Sequence, residues 1–374
     1  MRSANAMGII FANMHDENIP ELIARRTMAS APFAGRYRMI DFVLSGMSVA
    51  GMQNIGVVVR NNYQSLMDHL GNGREWDLSR KRGGLAIFPP GAQGAGNGSQ
   101  GRIEALGNVI DYLSFNKEEL VVMSDCDIAC DLDYAALIKE HSASGADVTV
   151  VYEKAPIKDS LLEDNITYVL GQDGYVSEIR VNDYKKGMQN LSMSVYIIER
   201  ELLLNVLKDA IVRGYESFEK DILARNLTIL KVRGYEYTGY RARISDMRSY
   251  FDENLRLLEH ENLKALFPKE RQVYTKVRDE APVRYAIGSQ VTNCIVADGC
   301  IIEGEVENSV LFRGVRVGKG VKIKNCVIMQ GTVIEPGAQM ENVVTDKNVK
   351  VCEGVSLRGA KGFPVFVGKG QCVE

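Results

Sequence analysis

The chain has 374 residues, 45% apolar and 25% charged, with a formal net charge of −3 at pH 7. That length predicts two domains with sizeable cores, and the near-neutral balance offers no basic footprint for nucleic acid or an anionic membrane. The opening MRSANA lacks the apolar centre of a secretory signal, and no apolar run approaches the ~18 residues of a membrane span, so a cytoplasmic location is expected. Cysteines stand at 126, 130, 294, 300, 326, 352 and 372 without Cys-x-x-Cys spacing. Buried free thiols are expected, and no metal site.

In chain order, the apolar run at 8–11 predicts a strand and residues 19–26 a helix, with a polar turn between them. This begins a nucleotide-binding α/β unit, whose turn ordinarily carries glycines, because phosphates need close backbone approach and free N–H groups. Here the turn is Asn13, Met14, His15, Asp16, Glu17 and Asn18, with no glycine and two carboxylates. Helices over 41–50, 63–70, 102–113, 134–143 and 201–213 alternate with strands over 55–60, 119–123, 146–152 and 191–198. A hairpin over 167–181 turns at Gln172-Asp173-Gly174, and the polar loop 71–84 holds the only tryptophan, Trp76. The glycine-rich stretch 89–101 lacks the Gly-Lys-Ser/Thr ending of a P-loop and reads as a surface loop. Together these elements predict a mixed, Rossmann-like sheet flanked by helices over residues 1–265. Asp127, just past a strand end, is placed either to hold Mg²⁺ or to cap the next helix, and Asp133 fits the capping role better.

Beyond a linker at 266–282, Val315, Val321, Val327 and Val333 recur every six residues. After five-residue steps at Ala338 and Val343, the spacing of six resumes at Val349 and Val355. Hexapeptide periodicity predicts a left-handed parallel β-helix over 283–374, with these residues pointing inward and oligomerisation as a consequence. Arg313, Arg316, Lys319, Lys322 and Lys324 form a basic run that reads as a solvated face or as half of an anion site.

An α/β domain followed by such a helix resembles a sugar-nucleotide pyrophosphorylase. The resemblance rests on APFAGRYRMIDFVLS (31–45) beside the family pattern PAVPFGGKYRLIDFPLS, and on NGREWDL (72–78), RGGLAIFPP (82–90) and NSVLFRGVRVG (308–318). Together these are similar to ADP-glucose pyrophosphorylase, the glucose-1-phosphate adenylyltransferase of glycogen synthesis. The resemblance implies a glycine-rich phosphate loop, basic side chains and Mg²⁺ between two aspartates. Position by position that machinery is depleted. The family loop GGxGxRL falls on residues 13–19, where Asn13, Met14, His15 and Asp16 replace its first residues and its glycines and arginine are lost. The lysine of KPA falls on Met28, the sugar-site lysine of EKP on Asn182, and the second metal aspartate of DVGTIDSYWEAN on Arg243. Asp127 is retained as the first metal aspartate, and Ser192 matches the serine of SMGIY, with Ser194 in place of its glycine. The resemblance places Arg36 and Arg38 between the domains, either at a regulatory anion site, to which Arg313 and Arg316 of the basic run would add, or in packing a loop onto the β-helix.

The losses share one direction, since a cation at a metal-ligand position repels Mg²⁺ and acids in the loop repel a triphosphate. The resemblance therefore implies a GlgD-type regulatory subunit, inactive or weak alone, in a heterotetramer with a catalytic glucose-1-phosphate adenylyltransferase subunit. Such a chain would answer to a phosphorylated metabolite, could also form homo-oligomers, and would use Mg²⁺ only if active. The competing expectation is a self-sufficient nucleotidyltransferase acting on a sugar 1-phosphate. A hexapeptide acyltransferase is disfavoured, because such enzymes need a histidine near the coils and His15, His69, His141 and His260 all precede the repeat.

Overall fold

Buried apolar runs build the first domain of the computed structural model, which describes residues 4–90, 101–162 and 164–374. The glycine-rich surface loop expected at 89–101 lies, for residues 91–100, outside the described residues. Ala6–Phe11 is wholly buried and pairs in parallel with Asn54–Val58 on one side and Leu120–Asp125 on the other. A strand apolar on both faces must be covered on both. Ile9 and Phe11 accordingly join one apolar cluster, and Ala6 and Ile10 the cluster across the sheet. Gly84–Phe88 extends the sheet in parallel, and the long strand Met188–Glu199 adds to it antiparallel, against both Leu120–Asp125 and Val148–Pro156. Nine strands result, in a mixed sheet. The expected hairpin is there as Ile166–Leu170 and Val176–Val181.

Two helices differ from expectation. The first shrinks to Pro20–Ile23, and the one expected over 102–113 divides into Arg102–Gly107 and Ile110–Phe115. Gly107 ends its helix where backbone freedom makes continuation costly. Trp76 is fully buried, with His69 at its ring edge.

The second domain is a left-handed parallel β-helix of short strands in three sheets, of 6, 5 and 5 strands. Lys322 pairs with Gln339 and Gln339 with Ser356, so each of these coils takes 17 residues rather than three sixes. The short side falls earlier than the valine spacing suggests. Val315, Val321, Cys326, Ala338, Val343 and Val349 fill the helix interior. Val327 and Val333 are therefore one residue out of phase, and a one-residue slip exchanges the faces of a strand. Val333 is 36% exposed, while Val327 is apolar because it points outward onto the first domain. Asn293, Asn308, Asn325 and Asn342 turn one corner with φ of 46–53°, a region that asparagine tolerates better than most residues.

That outward face welds the domains together. Val310, Phe312, Val327, Met329 and Val344 pack against a cluster that includes Phe33, Phe42 and Tyr250. Beside it Arg26, 2% exposed, donates through Nη2 to both carboxylate oxygens of Asp346 at 2.7 and 2.8 Å. The first domain's last helix is His260–Leu266 and the first coil strand is Arg284–Tyr285, with the Tyr274 N–H between them bonded to Ser45 Oγ at 2.8 Å. Among the described residues no helix is long and apolar enough to cross a membrane.

Candidate active site

Ala6–Phe11 lies between strands reached in opposite directions, and such a switch point opens a crevice beyond the carboxyl ends of the strands. Residues 13–18 cross it and close on themselves. Asn13 Nδ2 bonds the Asp16 carboxylate, Asn13 Oδ1 accepts from the Arg60 N–H at 2.9 Å, and Asp16 Oδ1 accepts from the Met28 N–H at 2.7 Å. Burial raises the pKa of Asp16, with these bonds pulling the other way. Met14 packs against one face's apolar cluster, and Met28 is buried in the interdomain core.

His15 reaches into the centre of the crevice. Its Nδ1 lies 2.8 Å from Asp164 Oδ2, and its Nε2 lies 3.0 Å from Asp125 Oδ2 and 3.8 Å from Asp127 Oδ1. Burial works against the imidazolium, but Asp127, Asp125 and Asp164 outweigh it and hold the pKa well above the usual histidine value. Asp127 is buried and does not cap the following helix, a role taken by Asp133 with the Ala136 N–H at 2.9 Å. Burial raises the Asp127 pKa, and its Oδ1 has no hydrogen-bond partner.

Arg243 stands on the other side of Asp127, with Nη1 3.5 Å from Oδ2. Its Nη2 donates to the Ser192 carbonyl at 2.6 Å and lies 3.3 Å from Glu153 Oε1. Below, Arg102 donates to both Asp125 oxygens at 2.6 and 2.9 Å and to Glu219 at 3.0 Å, with its guanidinium over the Phe11 and Tyr196 rings. Burial opposes the Asp125 carboxylate, yet Arg102 and His15 hold its pKa well below the usual range. Among the described residues, Asp125, Asp164 and Glu153 around Asp127 are thus each already paired with a basic side chain of the same chain.

Mg²⁺ asks for six oxygens in near-ideal octahedral geometry. Asp127 offers one free oxygen, flanked by two cationic side chains, so this donor set does not fit Mg²⁺. Ser192 is likewise occupied, its Oγ accepting from Tyr168 Oη at 2.9 Å and from the Ser194 N–H at 3.0 Å. Ser194 keeps a left-handed backbone, φ 54°, at the bulge in its strand. Asn182 sits apart on the rim, exposed, with its N–H on the Asn165 carbonyl at 2.8 Å.

A second constellation lies between the domains. Arg36, Arg38 and Arg313 converge there with Lys276, Arg278 and Lys347. Arg316 does not, standing exposed on an outer coil face, and Lys322 and Lys324 pair with Glu305 and Glu307 at 3.4 and 3.2 Å. Arg313 is 6% exposed; it donates to Asp298 and to the Lys276 carbonyl at 3.2 Å, and its Nη2 has no partner. Burial and the neighbouring Arg38 and Arg26 push the Lys347 ammonium down to about 7. Burial likewise brings Arg38 down to about 10. Six basic side chains thus line one cleft.

Sequence reasoning missed Arg102, Asp125, Glu153, Asp164 and Glu219. Of these only Asp125 left a local trace, as the first acid of the Asp-Cys-Asp triplet at the end of a strand; the others meet through long-range contacts.

The fold and the crevice define a nucleotidyltransferase-type domain joined to a hexapeptide β-helix. Residues 24–160 match the nucleotidyl transferase family, starting past the altered loop, and residues 282–359 match the GlmU-like C-terminal hexapeptide family. The chain is 34% identical to the glycogen biosynthesis protein GlgD of Bacillus subtilis (strain 168), over 97% of this chain and 96% of that one. It is 36% identical to GlgD of Geobacillus stearothermophilus, over 84% and 81%, and 31% identical to the glucose-1-phosphate adenylyltransferase of Thermotoga sp. (strain RQ2), over 84% and 75%. The chain belongs to the GlgD family of glycogen biosynthesis proteins, which is related to the glucose-1-phosphate adenylyltransferases.

Proposed function

We propose that this chain is a non-catalytic regulatory subunit of glucose-1-phosphate adenylyltransferase, working in the cytoplasm by assembling with a catalytic relative. The observation that carries the reading is the placement of His15 and Arg243 on either side of Asp127. A chain that fills its own metal position with fixed cations has no use for Mg²⁺ or a triphosphate there. The interdomain cleft keeps its cations, and supports a regulatory role exercised through a phosphorylated metabolite. Co-expressed with a tagged catalytic glucose-1-phosphate adenylyltransferase, the chain co-purifies as a mixed tetramer by size exclusion. Elution as two separate homo-oligomers would contradict the proposal.

The cleft carries its own pH signature. A bound anion favours the Lys347 ammonium, so binding takes up a proton wherever the free lysine is neutral, which is above its value of about 7. Affinity therefore rises as pH falls. Sulfate, whose charge is constant over this range, binds about tenfold more tightly at about pH 6 than at about pH 8 in calorimetry, and Lys347→Met flattens the profile. A flat wild-type profile would remove Lys347 from the cleft's chemistry.

A further inference from the structure

The last coils carry a pair of cysteines that neither the crevice nor the cleft uses. Strands Lys350–Val351 and Cys372–Val373 run parallel with Lys350 opposite Cys372, and the Cys352 N–H donates to the Val373 carbonyl at 2.9 Å. Val351 is fully buried in the helix core, so by alternation Lys350 and Cys352 face outward, as Cys372 and Glu374 do in the next strand. The two sulfurs lie 3.4 Å apart, and the ligand atoms of Cys352, Cys372 and Glu374 all fall within 4.8 Å of one another. Cys372 is exposed, against the expectation of buried thiols, whereas Cys300 and Cys326 are buried and bond carbonyl oxygens at 3.1 Å.

Tetrahedral zinc, with Zn–S near 2.3 Å, holds its sulfurs about 3.8 Å apart. The sulfurs are already within a few tenths of an ångström of that separation, and a carboxylate stands beside them. A neighbouring cation, Lys350, opposite Cys372, is held by Glu335 at 2.8 Å. We infer that Cys352, Cys372 and Glu374 form a site for a borderline-soft divalent cation of the zinc class, with water in the fourth position. Binding displaces the two thiol protons to solvent as two thiolate–metal bonds and one carboxylate–metal bond form. The ion ties the last two coil strands together across residues 353–371, where Phe363 packs under Arg248 of the helix Met247–Arg256, 6.0 Å from its ring. It thereby braces the terminal coil against the first domain.

The test is Zn²⁺ titration of the reduced full-length chain against a chromophoric chelator, with a thermal scan of each sample. Wild type takes up one equivalent at low-micromolar affinity or tighter and melts at a higher temperature with zinc. Cys352→Ser and Cys372→Ser, both on outward-facing positions, keep the metal-free melting temperature and lose the equivalent, and Glu374→Gln weakens it about tenfold. Binding unchanged in both cysteine variants, or no competition by wild type, overturns the inference. So does a fully reduced wild type whose melting temperature is indifferent to zinc.

Discussion

Assayed alone with ATP, glucose 1-phosphate and Mg²⁺, the purified chain releases pyrophosphate at least ~10³-fold more slowly than a catalytic relative run beside it. Losing one preorganised charge contact costs roughly 10²–10³ in rate, and here several are replaced by groups of opposing character. Non-additivity softens the product without rescuing it, because the replacements are locked in place. His15 is bonded to Asp125 and Asp164, and Arg243 to the Ser192 carbonyl and Glu153. Reverting one position is consequently not enough. Arg243→Asp leaves His15 between Asp125 and Asp127 and sets a third acid beside Asp127 and Glu153, so its gain stays below about tenfold. Turnover of the unaltered chain within about tenfold of the relative would sink the non-catalytic reading and restore the self-sufficient enzyme.

The second large effect is on stability. Asp346→Ala lowers the unfolding free energy by about 3–5 kcal/mol, because it strands a buried guanidinium. Arg26 is 2% exposed and its Nη1 already lacks a partner, so Asp346 supplies the compensation it has. The double variant Arg26→Met with Asp346→Leu recovers most of the loss, since an apolar pair of similar volume suits the adjoining interdomain core. Urea unfolding followed through Trp76, the chain's only tryptophan and fully buried, reads both variants. An Asp346→Ala midpoint indistinguishable from wild type would mean that the ion pair is not closed in solution.

Much of this architecture is local and therefore legible in the sequence. The hairpin at Gln172-Asp173-Gly174 and the cap at Asp133 depend on neighbours a few residues away, and both stand where turn and cap chemistry put them. The β-helix declares itself by period, but not by phase. A coil of 17 residues puts Cys326 where counting by six puts Val327, and Val327 looks like a core residue because the first domain buries it from outside. The crevice divides in the same way. The loss of glycines at 13–18 and the arginine at 243 are visible residue by residue, whereas the joining of His15, Arg102 and Arg243 to one set of acids brings together segments far apart in the chain. Cys352 and Cys372 meet only because the coil that separates them closes a full turn.

The measurement closest to the central claim is the effector response of a catalytic glucose-1-phosphate adenylyltransferase expressed with and without this chain. The expected result is a phosphorylated-metabolite response of the pair shifted several-fold from that of the catalytic chain alone. Arg313→Ala in this chain, which removes the buried guanidinium of the cleft, is expected to return the response toward the catalytic chain's own. An identical response with and without this chain, and no co-purification, would contradict a regulatory role.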